Sequence, residues 1–233
     1  MVPGMGAPLA LEPWARQMGR WTRVTVLDLP GWGSGRGCAC SSTVAAVGAA
    51  AARWLEVTNT RGVVLAGHSS GSQSALHAAL VVPDRLVGLV LSAPTLDPRA
   101  RHPGALLLRF LQAVLQEKPT EIPTALPWYR SGGLPWFRLA RSVMQDRPES
   151  LLPAVRPPVL LLTGDRDRFA PPGWVEHLAA LVSAAFVVLP GPHNACFTSP
   201  EAAATALRQA VLSWADEHPR QPPHVAPHHA SPS

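Results

Sequence analysis

The pentapeptide Gly67-His68-Ser69-Ser70-Gly71 constrains this chain more than any other stretch of it. It comes after the apolar run Val63-Val64-Leu65-Ala66 and opens the Ala-rich segment from Ser72 to Leu80. The order predicted is a strand, a sharp turn with a serine at its tip, then a helix. Small residues on either side let strand and helix approach closely, and the serine takes a strained backbone conformation. Its hydroxyl then stands above the sheet edge at a helix N-terminus, which favours negative charge. By itself G-x-S-x-G is a short pattern that many glycine-rich turns satisfy, so its meaning depends on the residues further along the chain.

An acid and a histidine stand there. The apolar run Val159-Leu160-Leu161-Leu162-Thr163 leads into Gly164-Asp165-Arg166-Asp167-Arg168-Phe169-Ala170-Pro171. A second run, Phe186-Val187-Val188-Leu189, leads into Pro190-Gly191-Pro192-His193-Asn194. Each candidate sits just past the end of a predicted strand, where open α/β sheets build their sites. Asp165 and Asp167 compete for the acid position. His193 competes with His68 beside the serine and with His77 on the next helix.

The rest of the chain alternates in the same manner. Helices are predicted over Leu9–Met18, Thr43–Val57, Ser72–Val82 and Glu201–Asp216, and strands over Arg23–Leu27, Val63–Ala66 and Leu86–Leu91. Strands alternating with helices imply right-handed βαβ units and a mostly parallel sheet with flanking helices, an α/β fold. Between 97 and 156 the pattern changes. Leu106–Leu115 reads as an amphipathic helix, Pro119, Pro123 and Pro127 come next, then Trp128, Tyr129, Trp136 and Phe137, and Arg138–Gln145 reads as helix again. The organisation expected is a core of 1–96 and 157–217, a small helical insert at 97–156, and a Pro- and His-rich disordered tail at 218–233.

Composition narrows the function classes. At 233 residues, 47% of them apolar, the chain suits one domain with a large buried core. The formal charge of +5 invites a nucleic-acid reading, but Lys118 is the sole lysine and the arginines are scattered with no aromatic interleaving. No nucleic-acid partner is expected. Cys38, Cys40 and Cys196 make neither a disulfide framework nor a zinc site, so no metal and no cofactor are expected. With no signal-peptide pattern and no run of about twenty apolar residues, a cytoplasmic setting without membrane contact is expected.

Taken together, the elbow, the Asp and the His in that chain order resemble the α/β-hydrolase superfamily, in its serine-nucleophile branch. The resemblance runs from about Val2 to about Trp214. Asp28-Leu29-Pro30-Gly31-Trp32-Gly33 is similar to the family's D-x-x-G-x-G loop. Gly164-x-x-Asp167-x-x-x-Pro171 is similar to its acid loop, which favours Asp167 over Asp165. His193 stands at the family's histidine position, with Pro192 before it in place of the frequent glycine. Pro3-Gly4-Met5-Gly6 resembles the family's His-Gly oxyanion loop, with Pro3 in the histidine place. The insert resembles the family's helical cap, which covers the site and shapes the pocket.

The resemblance implies a triad. Ser69 would be the nucleophile, His193 the general base and acid, and Asp167 the group that orients the imidazole. The oxyanion hole would be the backbone N–H groups of Ser70 and Met5. Trp32, Trp128, Trp136 and Phe137 are candidates for the substrate pocket. The partner implied is a small or medium apolar ester-like or ketone substrate; lactones, carbon–carbon bonds of diketones and peracid formation suit the same machinery. A non-catalytic small-molecule or partner-binding protein on the same scaffold is the alternative. Only Met1-Val2 precede Pro3-Gly4 where family members have two or three strands, so the fold is expected to be N-terminally short, with about six strands, or the start to lie further upstream.

Overall fold

The computed structural model describes residues 1–6, 8–28, 40–116 and 122–217, with backbone alone at Val114, over 122–133 and at Glu217. Four strands, β1 (Val63–His68), β2 (Leu86–Ser92), β3 (Val159–Gly164) and β4 (Ala185–Leu189), form one parallel sheet in that spatial order. Ala66 pairs with Val90, Val90 with Leu160, and Leu160 with Ala185, so the runs lie in close register. These strands are nearly unbroken apolar sequence because helices cover both faces of the sheet.

Alternation along the strands separates the two faces. Leu65, Leu89, Leu91 and Leu161 point into a cluster with α2 (Val44–Val57), α3 (Ser70–Val81) and α7 (Pro172–Ala180). Ala66, Val90, Leu160 and Leu162 point the other way, onto α1 (Glu12–Met18) and α9 (Pro200–Glu217). On that second face Trp214 lies flat on β2. A Cβ added to Gly88 would fall 2.1 Å from its indole ring. The helix α2 begins at Thr43, whose hydroxyl accepts from the N–H of Ala46 at 3.2 Å and so caps the first turn.

Between β2 and β3 the chain forms α4 (Pro103–Val114), α5 (Ile122–Gln145) and α6 (Pro148–Leu151). The 24 residues of α5 run through Pro123, Pro127 and Pro135, where the prolines lead one to expect breaks. The two ends of the segment are joined by a bidentate pair. Arg101 donates to Glu149 at 2.6 and 2.7 Å, and its guanidinium stacks 5.4 Å over the ring of Trp174.

Two expectations are corrected. Among the described residues the sheet has four strands, not six, and residues 23–27 are extended without forming a ladder. Pairing there is confined to Met1 and Val2. Val2 bridges Gly67, donating to the carbonyl of Ala66 at 2.7 Å and accepting from the N–H of His68 at 3.1 Å, while Met1 accepts from Leu27 at 2.9 Å. A two-residue partner gives too few consecutive bonds to make a strand on either side of it. The start of α3 also moves, to Ser70, directly after the turn. Among the described residues no helix is long and apolar enough to cross a membrane.

Candidate active site

Strain marks the turn at the end of β1. Ser69 sits at φ 56° and ψ −127°, a conformation that non-glycine residues rarely adopt. Close packing enforces it. A Cβ on Gly67 would come 2.2 Å from the carbonyl oxygen of Gly71, and one on Gly71 would come 2.3 Å from that of Val2. Strand, helix and N-terminal loop therefore meet at contact distances that a side chain would forbid. Hydrogen bonds lock the turn to its neighbour strand. The N–H of Ser69 donates to Ser92 at 2.9 Å, and the hydroxyl of Ser72 reaches the carbonyls of Gly67 and Ser92 at 2.9 and 2.6 Å.

The loops after β3 and β4 bring the other two candidates to this point. His193 Nε2 lies 2.9 Å from Ser69 Oγ, and His193 Nδ1 lies 2.9 Å from Asp167 Oδ2. The network is satisfied when the serine hydroxyl donates to Nε2 and the Nδ1–H donates to the carboxylate. Asp167 is buried, and its Oδ1 also accepts from the N–H groups of Phe169 and Ala170 at 2.8 and 2.9 Å. Burial pushes this carboxyl up, but the imidazole of His193 and the two backbone donors outweigh it, and the net shift is downward. The ring of Phe169 packs 4.9 Å from that of His193.

The competing residues have other work. Asp165 accepts from the N–H of Gly191 at 2.8 Å and ties the acid loop to the histidine loop. His77 pairs with Asp146 at 2.9 Å, linking α3 to the end of α5. His68 is buried beneath the site, 5.3 Å from the His193 ring. Its Nε2 lies 2.9 Å from Asn194 Oδ1 and its Nδ1 lies 3.2 Å from Ser92 Oγ, which in turn meets Cys196 Sγ at 3.0 Å. Burial and the neighbouring His193 lower the His68 pKa to about 4, and burial raises that of the Cys196 thiol to about 12, so both are neutral near pH 7. This buried polar chain supports the histidine loop from below. Nothing in the spacing of Asn194, Ser92 and Cys196 announces it.

A cavity of about 590 Å³ opens above Ser69. Leu106, Leu107 and Phe110 of α4 and Trp136, Phe137 and Ala140 of α5 give it an apolar roof. Phe110 and Phe137 both meet Trp136 edge to face. Of the four pocket candidates, Trp136 and Phe137 line this cavity. Trp32 lies outside the described residues, and Trp128 falls in the stretch described by backbone alone.

The oxyanion positions differ from expectation in one respect. Gly4 lies against the serine, since a Cβ there would come 2.7 Å from Ser69 Cβ, and Met5 adopts φ 44° and ψ 29° beside it. The Met5 N–H, however, does not open freely into the cavity. It donates to Ser70 Oγ at 2.8 Å. Ser70 lines the cavity and is 3% exposed, and nothing in the sequence marks its side chain as part of the site.

Comparison with known proteins agrees with this architecture. The sequence profile of the alpha/beta hydrolase family matches residues 1–206. No curated protein sequence matches the chain. Among solved structures, a thermophilic esterase from Thermogutta terrifontis with malate bound superposes with a TM-score of 0.71 at 23% identity, covering 91% of this chain and 88% of that one. A monoacylglycerol lipase from Paleococcus ferrophilus does so with a TM-score of 0.67 at 21% identity, covering 91% of this chain and 93% of the lipase. A lipase-esterase related protein from Clostridium acetobutylicum gives 0.73 at 17% identity, covering 89% of this chain and 91% of that one. At these identities the likeness shows the fold.

Proposed function

The chain belongs to the alpha/beta hydrolase family, and from that premise we propose that it is a serine hydrolase that transfers acyl groups from small or medium apolar esters to water. The observation that carries this reading is the unbroken line Ser69 Oγ, His193 Nε2, His193 Nδ1, Asp167 Oδ2, with a 2.9 Å contact at each junction, facing an apolar cavity.

On this reading His193 Nε2 takes the proton of Ser69 as Oγ attacks the ester carbonyl, and then returns it to the leaving alcohol. Asp167 keeps Nδ1 protonated and stabilises the imidazolium. Its own downward shift supports that role, because a carboxylate that stays ionised is what the imidazolium needs. The N–H of Ser70 belongs to the first turn of α3, one of the donors a helix leaves without an intrahelical partner, and on this reading it is the backbone donor to the developing oxyanion. Segment 97–156 acts as the cap. Its apolar roof selects acyl chains by burial, at about 0.8 kcal/mol for each methylene covered. No metal or cofactor enters this scheme. A cytoplasmic setting completes it, in keeping with the buried free thiol of Cys196.

The test uses a fluorophosphonate probe and a series of p-nitrophenyl esters. Labelling is expected at Ser69, read by mass spectrometry, with hydrolysis of acetate and butyrate esters. Both are lost in Ser69→Ala and His193→Ala while circular dichroism stays native. A wild-type protein that takes no probe at Ser69 and hydrolyses no ester would overturn the reading.

A further inference from the structure

The environment of Ser70 Oγ is unusual for a hydroxyl at the mouth of a site. It accepts a hydrogen bond from the Met5 N–H at 2.8 Å. Among the described residues nothing accepts its hydrogen. The group is nearly buried and lines the cavity that Ser69 faces. A hydroxyl has one donor and two acceptor positions; Met5 takes one acceptor position, and the O–H donor stays available to a bound group.

We propose that the side-chain hydroxyl of Ser70 is an oxyanion donor, polarised by the Met5 N–H behind it and joining the backbone N–H of the same residue. This rests on the acyl-transfer reading. The chemistry comes from the geometry. As Ser69 Oγ forms its bond to the carbonyl carbon, its proton passes to His193 Nε2 and the carbonyl π pair moves onto oxygen. That oxygen becomes an anion in a largely apolar cavity, where each hydrogen bond to it is worth more than in water. Two donors carried by Ser70, N–H and O–H, are fixed on one residue at the N-terminus of α3. The Met5 N–H acts through the hydroxyl, since an N–H donating to an oxygen strengthens that oxygen's own O–H as a donor. Met5 is therefore a positioning residue: its N–H is directed at Ser70 Oγ, within a loop where its own backbone is left-handed at φ 44°.

The arrangement has a rival with the opposite sign. If the Ser70 hydroxyl simply occupied the Met5 N–H, removing it would free a better donor and raise the rate. Kinetics separate the two. Wild type, Ser70→Ala, Ser70→Thr and Ser70→Val are compared for kcat and KM on p-nitrophenyl butyrate. Affinity for an alkyl trifluoromethyl ketone, which forms a tetrahedral adduct with the serine, is measured beside them.

Ser70→Ala is expected to lower kcat by about 100-fold, the lower end of the cost of losing one oxyanion donor, with KM within about twofold. Ketone affinity should fall by a similar factor. Ser70→Thr keeps the hydroxyl and should retain most of the rate, while Ser70→Val has the same shape without the hydroxyl and should resemble Ser70→Ala. A Ser70→Ala enzyme as fast as wild type or faster overturns the proposal. So does equal damage from Thr and Val, which would make the effect steric. If the wild type labels at Ser69 and turns over ester, any such failure belongs to the Ser70 proposal alone. If the wild type does neither, the acyl-transfer reading has failed first and the proposal falls with it.

Discussion

The floor and the roof of the cavity are built by different physics. The floor consists of strand ends and the loops that come after them, and hydrogen bonds to the backbone fix nearly every group in it. Asp167 accepts two N–H groups, Asp165 accepts one, Ser72 reaches two carbonyls, and Ser69 is pinned to β2. The roof consists of mostly apolar side chains from α4 and α5, with Arg141 of α5 beside them. Among the described residues, polar ties from the roof to the core lie at the C-terminal end of α5. Ser142 Oγ accepts from the N–H of Val44, Gln73 donates to the carbonyl of Val143, and Asp146 pairs with His77. Over α4, Leu107, Leu108 and Leu111 remain more than half exposed. Hydrogen bonds are directional and fail when a group shifts by a few tenths of an ångström, whereas apolar contact tolerates replacement by something of similar volume. On the proposed acyl-transfer reading, chemistry would sit on the first kind of support and selection on the second.

The contrast can be broken most severely at the floor. Asp167→Asn keeps the shape but removes the charge and the acceptor that hold the histidine tautomer. The expected loss in kcat for ester hydrolysis is about four orders of magnitude, with little change in KM. Steady-state kinetics with the folded variant would check it; a loss below tenfold would separate the acid from the chemistry.

The support beneath the floor responds to pH. His68 is held neutral in the fold, with its pKa lowered from 6.5 to about 4, chiefly by burial. Between those values the unfolded chain binds a proton that the folded chain refuses, so its stability contribution is complete above pH 6.5 and is lost as pH falls toward 4. At about 1.4 kcal/mol per pH unit this interval is worth roughly 3 kcal/mol. Asp167 acts in the same sense lower down, since its depressed pKa stabilises the fold only while the carboxylate is ionised. The Tm should fall steadily as pH is lowered across this range, and His68→Gln should flatten the upper part of the curve.

Changes to the roof should be smaller and should depend on the substrate. Trp136→Ala removes the aromatic that both Phe110 and Phe137 meet. The expected result is about a tenfold rise in KM for hexanoate esters, a rise for acetate below about threefold, and kcat little changed. A uniform loss across chain lengths would place Trp136 in the chemistry. Smallest of all is Leu108→Gln, on the exposed side of α4. Stability should move by less than about 0.5 kcal/mol and soluble-ester kinetics not measurably, as checked by urea unfolding and the same assay.

The floor was legible in the sequence, and the roof only in outline. Gly67 and Gly71 announced a close strand-to-helix approach, because no other residue fits where a Cβ would strike backbone. Asp167 and His193 were found because loops at the ends of parallel strands all open at the same sheet edge. The helices of the insert were found by their spacing, although α5 runs through its prolines. The strand read at residues 23–27 failed because alternation describes a face for burial, while a ladder needs a partner of sufficient length, and Met1–Val2 offer two residues. Asn194, Ser92 and the hydroxyl of Ser70 carry no pattern at all.

Local covalent limits and chain order, which a sequence contains outright, determined the elbow, the order Ser, Asp, His, and the parallel sheet with helices on both faces. The tertiary structure alone decided that His68 lies below the site, against Asn194 and Ser92, and where the Met5 N–H points. Those outcomes depend on distances of about 3 Å between residues as many as 126 positions apart, as between His68 and Asn194, and such distances are set by the packing of the whole sheet.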